Sequence, residues 1–249
     1  MANWIRNRSF RPALAPTLAV AVLLPLLLSL GFWQLDRAGQ KRVLQVEFAA
    51  GGETIIDPAA ADLPQLPRYQ QIMLYGRYQP RQQFLLDNMT DGGAAGYHVL
   101  TPFRPEGWDQ SIIVNRGWVR KDFSRSGLPD VEVDDLQREL RGRLAPLPRP
   151  GILLTGTETT AAGWPRVVQF PDMQELAASL DQSLTARSLL LDTDAAEGYL
   201  RRWQPIELGP ERHIGYAVQW FALATTLLII YFFVNFKRIE NDRQDEKSG

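Results

Sequence analysis

The chain has 249 residues, enough for one large domain or two ordinary ones. Its 27 Lys and Arg balance 28 Asp and Glu to a net charge of -1, which excludes the basic field of a DNA or RNA binder, so no nucleic acid is expected as a partner. The 22% charged and 45% apolar residues exclude wholesale disorder, and the absence of Cys excludes disulfides, thiolate metal sites and thiol nucleophiles. Only two His remain, His98 and His213.

In chain order, residues 1–12 form a tail bearing Arg6, Arg8 and Arg11 without an acid. An apolar run follows, centred on Leu18 to Leu30, and predicts a transmembrane helix over 13–35; about 24 residues at 1.5 Å each span a hydrocarbon core of about 30 Å. A cleaved signal peptide is the alternative, with Ser29-Leu30-Gly31 as a passable site, but the run is long for a leader and Trp33 stands where an interfacial anchor would. Val43, Val46 and Ala50 at helical spacing continue this helix past the membrane to Gly51-Gly52.

Residues 36–212 are expected to form one extracytoplasmic domain. Runs rich in β-formers predict strands over 72–78, 83–87, 97–102, 111–119, 139–144, 166–170, 188–192 and 200–207. One helix is expected over 172–183, with Met173, Leu176, Ala177 and Leu180 on one face and Asp172 as its cap. A second uncharged stretch predicts a transmembrane helix over 213–236, followed by the tail 237–249 with Lys237 and Arg238. The tails carry net positive charge and the middle net negative, so both tails are expected on the cytoplasmic side. The expected fold class is a membrane protein, two transmembrane α-helices flanking an extracytoplasmic α+β domain dominated by antiparallel strands, either barrel-like or an open sheet.

No P-loop, dinucleotide fingerprint, zincin or nucleophile-elbow motif occurs, and no enzyme activity is expected. The unusual residues gather where the spans leave the membrane. Trp33 and Arg37 share one helix face, Tyr216, Gln219 and Trp220 another, and His213 lies seven before Trp220 on a similar face. An aromatic belt with a snorkelling Arg accounts for the rings taken singly. Gln219, about a turn inside the span, needs a polar partner. An imidazole at such an interface can be an axial ligand of haem iron, with rings to cover the macrocycle and Arg37 or Arg212 to pair with propionates. His213, Tyr216, Gln219, Trp220, Trp33 and Arg37 are therefore the candidate haem-binding set, with His213 as the iron ligand. His98, between Tyr97 and Val99 in an expected strand, reads as structural.

Four blocks occur in order: Gly31-Phe-Trp-Gln-Leu-x-Arg37 with Lys41 after it, Gly96-Tyr-His-Val-Leu-Thr-Pro102, Asn115-Arg-Gly-Trp-Val119, and His213-Ile-Gly-Tyr-Ala-Val-Gln-Trp-Phe-Ala-Leu-Ala224. Together they resemble the signature blocks of the surfeit locus protein 1 family over nearly the whole chain. Gly163-Trp-Pro-Arg-Val-Val-Gln169 looks like the bacterial members; Arg120 departs from the Pro that many members have there. The resemblance implies a factor for assembly of haem-copper cytochrome c oxidase in the bacterial inner membrane, with its central domain in the periplasm. It also implies transient binding of haem a through His213 and delivery to oxidase subunit I, with subunit I, other oxidase assembly factors and the lipid bilayer as partners. The alternative is a cofactor-free scaffold that stabilises an oxidase subunit during assembly.

Overall fold

A computed structural model of the chain describes residues 8–59, 62–122, 124, 127–148, 163–204 and 209–238. Two compact units emerge, Met1–Leu44 with Ile206–Gly249, and Gln45–Pro205.

The first unit is a helix pair. Helix α1 runs from Leu14 to Ala50, as the periodicity of Val43, Val46 and Ala50 predicts, and the chain turns at Gly51-Gly52. After β1 (Arg8–Phe10), α1 packs antiparallel to α3 (Pro210–Asn235), which leads into β10 (Phe236–Arg238). The contacts run from Thr17 with Tyr231 at one end to Gln34 with His213 at the other. Both helices are long and apolar enough to cross a bilayer, and most of their apolar side chains face outward, Val22 and Phe233 among them. This is the expected membrane protein with two spans.

The second unit is built on one sheet. Its strands are β2 (Ile55–Ile56), β3 (Gln71–Tyr78), β4 (Phe84–Asp91), β5 (Ala94–Pro105), β6 (Ile112–Arg120), β7 (Arg138–Ala145), β8 (Arg166–Val168) and β9 (Ser188–Leu191). Strands β3, β7, β9, β6 and β5 close on themselves, because β5 pairs with β3 at its far end as well as with β6. All neighbours in this ring are antiparallel except β6 and β9. The expectation left barrel and open sheet as alternatives; the closed five-stranded ring decides for the barrel. Closure depends on Gly76, paired with Pro105: a Cβ there would lie 2.2 Å from the Arg104 carbonyl oxygen, so only glycine lets the strands meet.

Strand alternation explains the barrel core. Ile72, Leu74 and Tyr78 of β3 point inward with Phe103, Ile112, Val114, Leu140, Leu144, Leu189 and Leu191. A second core lies outside the ring, where Phe84, Leu86, Leu100 and Ile113 receive Leu176 and Leu180 of helix α2 (Met173–Leu180). Asp172 caps α2 in a capping box with Glu175, and Asp181 ends it in the left-handed conformation, two residues short of the expected end.

Strand 200–207 does not form as expected. Leu200 makes one bridge to Trp118, and residues 201–204 are irregular because their side chains hold the backbone instead: Arg201 donates to the carbonyls of Asp192, Thr193 and Ala195, and Trp203 Nε1 to that of Leu191. Residues 205–207 lie outside the described residues.

Candidate functional site

Most of the residues buried along α1 and α3 are small. Gly31 and Ala38 of α1 and Pro210, Ala217 and Ala224 of α3 are buried along the seam, at spacings of seven that keep one face toward the partner. A Cβ on Gly31 would lie 2.6 Å from the ring of Phe221, so glycine admits that ring to the seam. Phe32 meets Phe221 edge-on at 5.3 Å between centroids.

One turn beyond Gly31 the seam becomes polar. Gly209 and Pro210 open α3, where proline suits the first helical position, and place His213 in the first turn facing α1. His213 Nδ1 lies 2.8 Å from Gln34 Oε1. An amide oxygen only accepts, so Nδ1 donates, and in the neutral imidazole the lone pair is then on Nε2. This is how a ligating imidazole is oriented in metal and haem sites: one nitrogen held by an acceptor, the other left for the metal.

The remaining expected residues separate by face. Trp220 is half-buried on the face of His213, as their spacing of seven requires. Trp33 and Tyr216 are 49% and 47% exposed, and Gln219 and Arg37 are exposed, so these four face away from the seam near the level of His213. Arg37 lies over the Trp33 ring at 5.7 Å and donates to Gln40 Oε1. The Gln219 amide, expected to need a partner, makes no hydrogen bond among the described residues. Gln34 was not among the expected site residues, although it stands in the Gly31-Phe-Trp-Gln block. Its signal was present, a polar residue three after a glycine on the same face of a span.

In the barrel unit, His98 is half-buried on β5 beside a register shift, with the Trp203 ring at 5.8 Å. Its Nδ1 lies 2.9 Å from Asn115 Nδ2. Asn115 Oδ1 accepts from the Gly117 N–H, which turns Nδ2 toward the ring. His98 Nδ1 therefore accepts, its proton is on Nε2, and no lone pair remains for a metal. Burial pulls its pKa down to about 4, partly opposed by Asp91. Among the described residues, no three His, Asp or Glu side chains gather into a metal site.

The neighbouring buried cation was also missed. Arg116 is 2% exposed and donates to the carbonyls of Val131, Glu132 and Glu197 and to Gln83 Oε1, with its guanidinium 5.0 Å from the Tyr199 ring. Burial lowers its pKa, and Tyr199, Tyr78 and Glu197 counter that. It ties two loops to the barrel rather than facing a ligand.

A family model described as the SURF1 family matches residues 21–225. The chain is 25% identical over 225 residues to a SURF1-like protein of Rickettsia felis, covering 86% of this chain and 94% of that one. It is also 25% identical to SURF1-like proteins of Rickettsia conorii, over 85% of this chain and 88% of that one, and of Rickettsia bellii, over 86% and 88%. The matched span runs from within α1 to within α3, and so takes in the barrel and the His213 turn.

Proposed function

The chain belongs to the SURF1 family, and from that premise we propose that it carries haem a through His213 and passes it toward subunit I of cytochrome c oxidase. Membership brings a role in cytochrome c oxidase assembly and, with two apolar helices, a place in the inner membrane. The family is one of assembly factors and not a known class of enzyme. In this reading the barrel faces the periplasm and both tails the cytoplasm, in keeping with the basic residues of the tails.

The observation that carries the proposal is the His213–Gln34 hydrogen bond, which engages Nδ1 and leaves Nε2 for iron. Haem supplies a metal that takes an axial imidazole and a broad apolar ring with carboxylates at one edge. His213 holds the metal, and Gln34 keeps its ring from rotating. Trp220, on the face of His213, offers aromatic surface to exclude water, while Trp33, Tyr216, Arg37 and Gln219 face away from the seam and would meet only the outer edge of the cargo. Delivery follows from weakness: cargo passes only to a site that binds it more tightly, and a single histidine is a weak hold.

Purification after co-expression with the enzymes of haem a synthesis tests this. The expected result is an absorbance band of bound haem in the wild type that His213→Ala abolishes. A colourless wild type, in cells whose oxidase assembly still depends on the protein, would favour the cofactor-free scaffold, in which Gln34 and His213 serve only to lock α1 to α3.

A further inference from the structure

Where β5 meets β3 to close the ring, Arg77 stands directly opposite Arg104. The next pair in the same register, Tyr78 and Phe103, turns inward with rings 5.2 Å apart, so strand alternation puts both arginines on the outer face of the sheet. Opposed like charges on a strand pair are unfavourable, because directly opposite Cβ atoms are only about 4.5–5.5 Å apart. Arg104 is half-buried and donates only to neutral oxygens, Gln182 Oε1 at 3.2 Å and the Trp108 carbonyl at 3.4 Å, both long for hydrogen bonds. Gln182 Oε1 also accepts from Ser111 Oγ at 2.9 Å and from Gln79 Nε2 at 3.1 Å, so three donors share its two lone pairs. Arg77, and Arg81 in the connection from β3 to β4, are exposed and make no hydrogen bond or ion pair among the described residues.

These three guanidiniums line one cleft of about 570 Å³, together with Gln82, Asp135 and Asp181. Neither aspartate lies within ion-pair distance of an arginine there; the ion pairs among the described residues are elsewhere. Both aspartates are exposed, as are Arg77 and Arg81, which leaves the cleft open. A small-molecule site encloses most of its ligand, and two aspartates repel a multiply charged ion such as phosphate. An extended segment of another protein suits the cleft better, because it brings its own cover and can set a carboxylate on the arginines and basic or amide groups on the aspartates. We infer that the cleft beside the β3–β5 closure is a docking site for an acidic segment of a partner protein, with a carboxylate held between Arg77 and Arg104. This site is independent of haem carriage at His213.

The test uses the full chain in detergent and the fluorescence anisotropy of two labelled peptides, Lys-Glu-Ser-Glu-Gly and its neutral counterpart Lys-Gln-Ser-Gln-Gly. The wild type is expected to bind the glutamate peptide about tenfold more tightly, the scale of one hydrogen bond to a charged group. Arg77→Gln with Arg104→Gln brings the two peptides to parity. Arg77→Gln alone weakens the preference and melts no lower than the wild type, because it relieves the opposed charges. Arg68→Gln with Arg141→Gln, which removes as much charge elsewhere on the barrel unit, leaves the preference unchanged. Neither succinate nor inorganic phosphate displaces the glutamate peptide at equal concentration. No preference in the wild type, an equal loss in the 68/141 variant, displacement by either small anion, or a lower melting temperature in Arg77→Gln would overturn the inference.

Discussion

In the barrel, His98 Nδ1 accepts from Asn115 Nδ2, whereas in the helix pair His213 Nδ1 donates to Gln34 Oε1. Each imidazole is held by one side-chain amide, and the end of the amide that faces the ring reverses what the ring can do. His98 is left with a proton on Nε2 and serves the fold. His213 is left with a lone pair there and can serve a metal. The surroundings differ in the same sense. Barrel polar groups such as Arg116 end on backbone carbonyls and are satisfied within the unit, while the turn around His213 presents Trp33, Tyr216 and Gln219 outward.

The largest expected effect lies on the structural side of this contrast. Arg116→Met leaves the carbonyls of Val131, Glu132 and Glu197 without their donor inside the protein and is expected to cost about 3–5 kcal/mol, read by denaturant unfolding of the purified chain. The fraction that stays folded should keep its haem; a folded variant without haem would place Arg116 in the binding machinery and break the contrast. On the other side, Gly31→Leu drives a side chain into Phe221 and should cost about 1–3 kcal/mol of helix packing. Separating Gln34 from His213 in this way, it should lower haem retention with the barrel intact by circular dichroism.

The amides sharpen the comparison further. Gln34→Leu removes the acceptor that orients His213 and should weaken haem binding about 10–100-fold, the usual cost of losing such a partner. Asn115→Leu should leave haem affinity unchanged in a spectroscopic titration. Equal effects from the two would mean that the hydrogen-bond directions do not distinguish the histidines.

The last effect is one of pH, spread over a window and at most about 1.4 kcal/mol for each unit. With the His98 pKa near 4 in the folded chain and about 6.5 when unfolded, the unfolded state binds the extra proton between those values. Its contribution to stability is fully present above about pH 6.5 and declines as pH falls toward 4, with a slope of at most about 1.4 kcal/mol per pH unit. Unfolding measured across that window should lose this slope in His98→Gln; an unchanged slope would mean that His98 titrates normally.

Much of the architecture was legible in the residues. Two uncharged runs of membrane length, the periodicity that carries α1 to Ala50, and the alternation of Ile72, Leu74 and Tyr78 each act locally, so they show in the sequence. Barrel closure does not, because it rests on a meeting of Gly76 with the Arg104 carbonyl that no local pattern encodes. The pairing of β1 with β10 joins segments at opposite ends of the chain and was equally hidden. At the site, the spacing of His213 and Trp220 showed that they share a face. The role of Gln34 needed the pairing of the helices, because only the partner across the seam tells which end of its amide meets the imidazole.

Carriage of haem a through His213 is tested most directly by the haem bound per chain in three proteins purified side by side after co-expression with haem a synthesis: wild type, His98→Ala and His213→Ala. Wild type and His98→Ala are predicted to carry equal haem with the same spectrum, and His213→Ala none while remaining folded. Haem retained by His213→Ala at the wild-type level would contradict it.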